Sequence, residues 1–541
     1  MQAERLENGS GFHDPIKKLK LKTFADMKKY VEIKGTSKEI ALKADNRAFG
    51  HMLLIAESRM LDMREVLSHP LGRIPWALAN ADATMKKTGK SLLGKQIEKD
   101  TAICNTDAVS GRRATILDAM GIVQKVHGEH LTFDELSHRI LKQILSEGRG
   151  SERIDVVFDI YRSQSIKTAE RVNRGSNQGI VFKQIKPGHR ITNYKRLLSS
   201  NESKAKLTHF LVDSWKEEKK RELLGNTMLM VTYEEQCFQI TQNEVKEVRE
   251  LIVSGHEEAD TRLAIHAKHA AEAYPTVIVI SEDTDVLVIL LAMNSEIGNR
   301  ILLRRGKKNQ IRMIDINNMG ILLGNQVCQA LIGLHAWTGC DSVSAFVGKG
   351  KVKAFNMIRK NTKFRDTFIL LGQELTLSDE LFDAIEEFTC NMYCRNTKAK
   401  SVNELRYNMF CSKKGDVSSG QLPPCQDALL QHTRRANYQA AIWRRSLQTT
   451  LELPEPTDNH GWHLSDGDIE ITWLTLPPAP EIVLSLTACN CPRVCAKDKC
   501  TCIAVGLPCT PACKLQNCGN IPNDDSDPVQ NGDSDLDSDE D

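Results

Sequence analysis

Between about residues 110 and 360 the chain alternates short apolar runs with longer stretches of helical period. "ATILDAM" and "IDVVFDIY" are β-branched runs that end in aspartate, and both predict strands. "FDELSHRILKQILSEG" between them repeats its apolar positions at helical spacing and is closed by Gly148. "EEADTRLAIHAKHAAEAYP" predicts a helix stopped by Pro275, feeding straight into the strand "TVIVI". Strand–helix–strand alternation predicts an α/β domain with a mostly parallel central sheet and helices on its faces. Runs apolar at every position fit a sheet buried on both sides.

The pattern divides the chain further. Residues 1–105 are rich in Lys and Met, with helical period in "FGHMLLIAESRMLDMREVL", and form a helical preface to a core at 106–360. Within that core, 174–250 is polar and Lys-rich and is expected to be an irregular insertion over the sheet. Residues 361–455 read as helices, for example "SDELFDAIEEFTCNMY". A Pro-rich linker (456–485), a Cys-dense module (486–520) and an acidic tail (521–541) complete the division, with no internal repeat.

Composition narrows the class. At 541 residues the chain exceeds one ordinary domain, and 41% hydrophobic residues suffice for a core. No apolar run approaches the roughly 18 residues of a membrane span, and the first residues lack a signal-peptide pattern. The expectation is a soluble protein, not secreted and not in a membrane; "DPIKKLKLK" resembles a nuclear import signal, so nuclear or nucleo-cytoplasmic. The formal charge of +2 hides an asymmetry: residues 523–541 hold nine acids and no base, leaving 1–522 at +11. A basic body suits an anionic partner such as nucleic acid, and the tail suits competition for it, contact with basic proteins, or solubility alone.

The acids carry the first candidate chemistry. In an open parallel sheet, ligands bind at the carboxyl ends of strands. Asp118 follows "TIL", Asp159 follows "VVF", and Asp283 and Asp285 follow "VIVISE". Glu258 and Asp260 open the helix that leads into that strand, and Asp341 sits in "HAWTGCDS" after a helical segment. Asp118 or Asp159 alone could simply cap a helix. Together in one pocket these seven carboxylates could not all stay ionised unaided. Two like charges 4 Å apart repel by about 4 kcal/mol at an effective dielectric near 20. Either protons bind there or hard divalent cations do. Two Mg²⁺ or Mn²⁺ ions about 4 Å apart would clamp the attacking and leaving oxygens of a phosphoryl displacement.

The ordered set resembles the flap-endonuclease/XPG group of structure-specific nucleases, whose core is a PIN-like three-layer fold, over about 116–354. "ILDAM" is similar to that family's first metal-binding strand, "VVFDIY" to its second, and "EEADTRLA" to the acidic start of its helix. "SEDTDVL" and "TGCDSVSAFVGKGKVKA" are similar to its two later signatures. The resemblance implies DNA hydrolysis with metal ligands Asp118, Asp159, Glu258, Asp260, Asp283, Asp285 and Asp341. It implies that Lys167 and Arg174 approach the scissile phosphate. It also implies that Gly348 and Gly350, with Lys351 and Lys353, belong to a helical hairpin gripping the DNA backbone. The chain departs from the family in several places: about a hundred residues precede the first strand, the N-terminal glycine segment has no counterpart, Asp260 replaces a Glu, Ser342 replaces the Tyr after "GCD", and the arch region at about 174–250 does not align.

Half of the 16 cysteines lie between Cys489 and Cys518. In a chain without a secretion signal, such density reads as metal ligation before disulfides. Cys489, Cys491, Cys495, Cys500, Cys502, Cys509, Cys513 and Cys518 suffice for two closed Cys₄ zinc sites, or for three ions with bridging thiolates. So small a segment would draw most of its folding free energy from zinc. It resembles a tesmin-type CXC repeat, which in that family contacts DNA; here Lys497, Lys499 and Lys514 offer non-specific phosphate contacts.

His256, His266 and His269 flank the acidic helix without a third ligand and read as packing residues, and Trp337 is expected to pack against the sheet. The leading expectation is therefore a divalent-metal-dependent nuclease with a zinc module that helps hold it on DNA. Two alternatives stand beside it. One is a non-catalytic nucleic-acid-binding or chromatin-associated protein that keeps the fold and derives from a mobile element. The other is an interaction protein acting through its tail and N-terminal helices.

Overall fold

The computed structural model describes residues 52, 61–101, 109, 111–162, 165–167, 184–306, 310–412, 419–481 and 483. In the C-terminal stretch it describes 489, 491–492, 495, 500–504, 509 and 515. The chain forms two units, Phe49–Thr487 and a second made of Met1–Ala48 with Ala488–Asp541.

The large unit is built on one eight-stranded sheet. Its strands are β1 Arg113–Asp118, β2 Arg153–Val157, β3 Met228–Tyr233, β4 Gln236–Ile240, β5 Val245–Glu247, β6 Thr276–Ile280, β7 Arg300–Arg305 and β8 Arg312–Asp315. They lie in the order β5-β4-β3-β2-β1-β6-β7-β8. The central five, β3-β2-β1-β6-β7, are parallel; β4, β5 and β8 are antiparallel additions at the two edges. The chain leaves β1 in one direction through β2 and β3, then returns to β1's other side as β6 and continues to β7. This reversal makes the carboxyl ends of β1 and β6 the topological switch point. Register brings those ends level: Leu117 pairs with Ile280 and Asp118 with Val157 of β2.

The helices used below are α1 Lys90–Asp100, α2 Ala119–Val123, α3 Phe133–Glu147, α4 Asn201–Lys216, α5 Ala259–Ala271, α6 Thr284–Ile297, α7 Asn325–Trp337, α8 Lys351–Lys360 and α9 Gln426–Arg444. On one face of the sheet, α3 and α4 pack together over Leu117, Ile154, Val156, Leu229 and Val231. Strand residues alternate between faces, so Met230 points the other way and belongs to a separate buried cluster that includes Ile265 of α5. Three layers result. α3 starts where its sequence predicts: Thr132 and Glu135 form a reciprocal capping box.

Several expected boundaries dissolve in the structure. Residues 184–250 are no irregular insertion, for they hold α4 and strands β3 to β5. The Lys-rich "NESKAKLTHFLVDSWK" hides an apolar stripe, Leu207, Leu211, Val212 and Trp215, that is fully buried. Its polar face dominates the composition and conceals the period. The described part of the preface, from residue 61 on, is likewise integral to the large unit: α1 packs on α6 and α8, and Arg359 bonds Asp100 at 2.5 Å. The Pro-rich stretch forms a hairpin, Trp462–Ser465 with Asp468–Ile471, held by Arg435 of α9 through the Gly461 and Thr472 carbonyls. Trp337 packs among Phe346, Phe368, Phe388 and His432 in a helical cluster, not on the sheet.

A buried ionic cluster fixes α5 to the sheet. Arg153 grips Asp155 with two bonds, 2.7 and 2.6 Å, and His266 of α5 donates from Nδ1 to the same carboxylate at 2.7 Å. His269 adds a 2.8 Å contact to Arg153. Burial acts to raise the Asp155 carboxyl, but the Arg153 guanidinium and His266 overcome it and hold the group down at about 2. Asp155→Asn leaves a buried guanidinium short of its counter-charge, at a cost of about 3–5 kcal/mol. Chemical denaturation should register that loss as a lower midpoint with an unchanged slope.

Acid sensitivity follows from buried histidines. Burial pulls His256 down to about 4 and His432 to about 3, and lowers His266. The unfolded chain binds protons near 6.5 that the folded chain refuses, so stability falls as pH drops below about 6.5, each group costing about 1.4 kcal/mol per unit until its folded value is reached. Asp155, with its depressed folded value, adds a second loss between about 4 and 2. Thermal melts followed by circular dichroism should show Tm falling steeply from pH 6 to pH 4.

Candidate functional site

Each strand end at the switch point delivers an acid through local chain geometry. Asp118 ends β1 and caps α2, accepting from the backbone N–H of Met120 at 2.9 Å and of Gly121 at 3.3 Å. Asp283, three residues past β6, caps α6 by accepting from the Asp285 N–H at 2.9 Å. Asp159, two residues past β2, accepts from the Ala259 N–H at 2.8 Å and so ties the start of α5 to the sheet. That start carries Glu258 and Asp260.

Capping alone does not make the site. Asp315 ends β8 in the same manner, accepting from Asn318 at 3.1 Å. Yet β8 runs antiparallel, which places Asp315 at the opposite end of the sheet, where it pairs with Arg300.

Asp341 arrives by a different route. Helix α7 ends at Trp337, and Gly339 turns the chain at φ +109°, where an added Cβ would meet the Ala345 backbone N at 3.0 Å. Only glycine meets both demands. The loop is then stitched to the preface: Ala345 N–H donates to the Lys86 carbonyl at 2.8 Å and Val347 N–H to the Ala77 carbonyl at 3.0 Å. Lys87 reaches back to the Asp341 carbonyl at 2.8 Å.

These acids converge. One carboxylate oxygen each of Asp260, Asp283 and Asp285 lie within 4.8 Å of one another, a group that could hold a metal ion. Lys167 bridges Glu258, at 2.8 Å, and Asp341, at 3.5 Å. Lys90, the first residue of α1, bridges Asp285 and Asp341, at 2.7 Å each. Asp285 is fully buried, and its other oxygen meets Nε2 of His335 on α7 at 2.7 Å. His335 Nδ1 has no partner, so the ring proton belongs on Nε2, donated to the carboxylate. Burial lowers His335 to about 4, which keeps it neutral.

The electrostatics split the cluster in two. Burial, then Asp159 and Asp283, push Asp118 up to about 6. Burial, then Asp283, Glu258 and Asp285, drive Asp260 well above the carboxylate range; Glu258 and Asp283 are raised as well. Glu258 Oε2 is buried with no partner. Asp285 and Asp341 go the other way: burial opposes their charge, but Lys90 and, for Asp341, Lys167 hold them below the usual range. In the first half, among the described residues, only Glu258 meets a lysine, Lys167 at 2.8 Å, and Asp260, Asp283 and Asp285 form a group that could hold a metal ion. Beside it opens a cleft of about 640 Å³ lined by Asp118, Asp283, Lys90, Lys125 and Arg304 among others.

The expected DNA-gripping residues divide. Gly348, at φ +62°, Gly350 and Lys353 are exposed. Lys351 is not: it is 2% exposed, and its ammonium points inward, donating to the His335 carbonyl at 2.7 Å and Thr338 Oγ1 at 2.9 Å. It braces the turn that carries Asp341 and has no face for a phosphate. His256 bonds Thr261 and the Gln448 carbonyl, a packing role shared with His266 and His269. Arg174 lies outside the described residues, as do Cys513, Cys518, Lys497, Lys499 and Lys514. Sequence reasoning missed Lys90 and His335. Lys90 sits in no motif, and His335 opens the "HAWTGCDS" stretch without any sign of its partner; only the fold brings them to Asp285.

In the smaller unit, Cys489, Cys495, Cys500 and Cys509 form a second group that could hold a metal ion. Cys509 Sγ lies 3.8, 3.6 and 3.7 Å from those of Cys489, Cys495 and Cys500, and Cys489 lies 3.6 Å from Cys495. A tetrahedron with Zn–S bonds of about 2.3 Å has edges of about 3.8 Å. Burial would raise the Cys500 thiol, but the Ile503 N–H and neighbouring thiols bring it down to about 6, toward the thiolate that ligation needs. Cys491 and Cys502 are buried in the same cluster. Among the described residues, no helix is long and apolar enough to cross a membrane. Neither a known family model nor any curated protein matches this sequence.

Proposed function

We propose that this chain hydrolyses phosphodiesters of DNA with divalent Mg²⁺ or Mn²⁺ held at the switch point, and that its Cys-rich unit holds zinc. The observation that carries the reading is the meeting of carboxylates from three strand ends, a helix start and a distant loop around too little positive charge. A structural cluster of this kind would be expected to neutralise itself, yet Glu258 Oε2 is left buried and unbonded. The order of motifs supports the same reading through its resemblance to flap-endonuclease/XPG nucleases with a PIN-like core.

Roles follow from the geometry. When bound, the metal polarises a phosphate oxygen and lowers the pKa of a water. Asp260 and Asp283, with Asp118 and Glu258 beside them, would hold it. Asp285 is oriented by His335. Lys167 stands where an incoming phosphate would meet a positive charge. Lys125 and Lys353, both exposed, would contact the backbone of a bound strand. In the smaller unit, Cys489, Cys495, Cys500 and Cys509 fit zinc by donor type and spacing.

The ion pairs of Lys90 and Lys167 with these acids favour a second reading, in which the fold binds nucleic acid without turnover. Cleavage of flapped, nicked, single-stranded and duplex DNA, with Mg²⁺ or with EDTA, separates the two. The first reading predicts cleavage with Mg²⁺ that EDTA and the double variant Asp283→Ala/Asp285→Ala abolish. Salt-sensitive binding with no cleavage by the wild type would establish the second.

A further inference from the structure

We infer that Lys90 occupies the place of a second metal ion, so that the centre takes up one divalent cation and uses the Lys90 ammonium as its other positive charge. The inference rests on the metal-centre reading above and refines its count of ions.

The geometry of the acids carries it. Asp285 has two oxygens: Oδ1 is taken by His335 and Oδ2 by Lys90, both at 2.7 Å. Asp341 has two as well: Oδ1 meets Lys90 at 2.7 Å and Oδ2 faces Lys167 at 3.5 Å. A second ion between Asp285 and Asp341 would need the oxygens that Lys90 already holds. A hard cation there would sit against an ammonium, and two positive charges at about 4 Å repel by about 4 kcal/mol even at an effective dielectric of 20. Nothing comparable blocks Asp260 and Asp283, which form no ion pair among the described residues and bring one oxygen each within 4.8 Å of the other.

Lys90 is also held in place, which a displaceable surface lysine is not. Helix α1 buries Leu93 and Ile97. Its Glu98 takes Arg305 at 2.8 Å, and Arg305 donates in turn to the Glu282 carbonyl at 2.6 Å, inside the turn that presents Asp283. Upstream, the chain is stitched to the Asp341 loop through Lys86 and Lys87. The Lys90 side chain is 19% exposed. Both ends of the segment are therefore anchored to the elements that carry Asp285 and Asp341. The long preface that departs from the resembled nucleases supplies this lysine.

The test counts ions on the full-length, zinc-loaded chain. Mn²⁺ is titrated with free ion followed by electron paramagnetic resonance, in parallel with calorimetry. Wild type is expected to bind one Mn²⁺ in the acidic centre, and Lys90→Met and Lys90→Gln two. Lys90→Arg, which keeps the charge, is expected to bind one. Glutamine retains a hydrogen bond to the acids should methionine prevent folding. Two ions on the wild type overturn the inference without reference to any variant and leave the metal centre standing. One ion on both the wild type and the uncharged variants also overturns it, since no second position is then being filled. No Mn²⁺ on any of them removes the metal-centre reading itself.

Discussion

Asp283→Asn is expected to reduce metal-dependent cleavage by about a thousandfold or more while leaving the fold intact. The two effects separate because Asp283 does two things with different atoms. Its Oδ1 caps α6 by accepting from the Asp285 N–H. Asparagine caps as well as aspartate, so that bond survives. What disappears is a negative charge facing Asp118, Asp260 and Asp285, in the half of the cluster where carboxylates crowd one another and are raised. Metal polarisation of a phosphoryl oxygen is worth several kcal/mol of barrier. A loss of about 4 kcal/mol is about three orders of magnitude in rate. Asp285→Asn is the poorer variant, because it strips a buried carboxylate from Lys90 and His335 and mixes instability with lost chemistry. Single-turnover rates beside denaturation midpoints for both variants check the contrast. An Asp283→Asn protein that cleaves at the wild-type rate would remove Asp283 from the metal centre.

Cys509→Ser should have the largest effect in the smaller unit. Its sulfur lies within 3.8 Å of those of Cys489, Cys495 and Cys500. Structural zinc in peptides of this size supplies about 10–16 kcal/mol of apparent folding free energy. Loss of one of four thiolates therefore unfolds the segment instead of merely loosening it. Substitution with Co²⁺ gives a direct readout. The wild type should show the charge-transfer and d–d bands of tetrahedral thiolate ligation, and the variant should lose them. Proteolysis should then cut between 489 and 518 while the sheet unit stays protected. Retained tetrahedral bands in the variant would mean that Cys509 is no ligand.

Local pattern made the central sheet legible and left its edges obscure. "TVIVI" and "ATILD" are apolar at almost every position because both faces of β6 and β1 are covered, and such strands announce themselves. α4 did not, because eight of its sixteen residues are exposed or half-buried and its charges mask the stripe of Leu207, Leu211, Val212 and Trp215. The hairpin Trp462–Ser465 with Asp468–Ile471 was hidden by the prolines around it. It is held by Arg435, a contact no local signal contains.

The acids at the strand ends were readable for the same reason as the strands. Each lies within three residues of a run whose direction is known, and a parallel sheet fixes where such runs end. Lys90 and His335 were not readable. They lie 195 and 50 residues from Asp285 in the chain, and nothing in "GKSLL" or "GLHAW" marks them. Lys351 misled in the opposite sense. "GKGKVK" looks like a basic surface, but helical phase turns this lysine inward while Lys353 stays out.

Anomalous diffraction from crystals soaked in Mn²⁺ reaches the heart of the matter most directly. A peak ligated by Asp260 and Asp283, lost in Asp283→Asn crystals, is the predicted result. A map with no peak among these side chains, at Mn²⁺ concentrations that sustain cleavage, would contradict it.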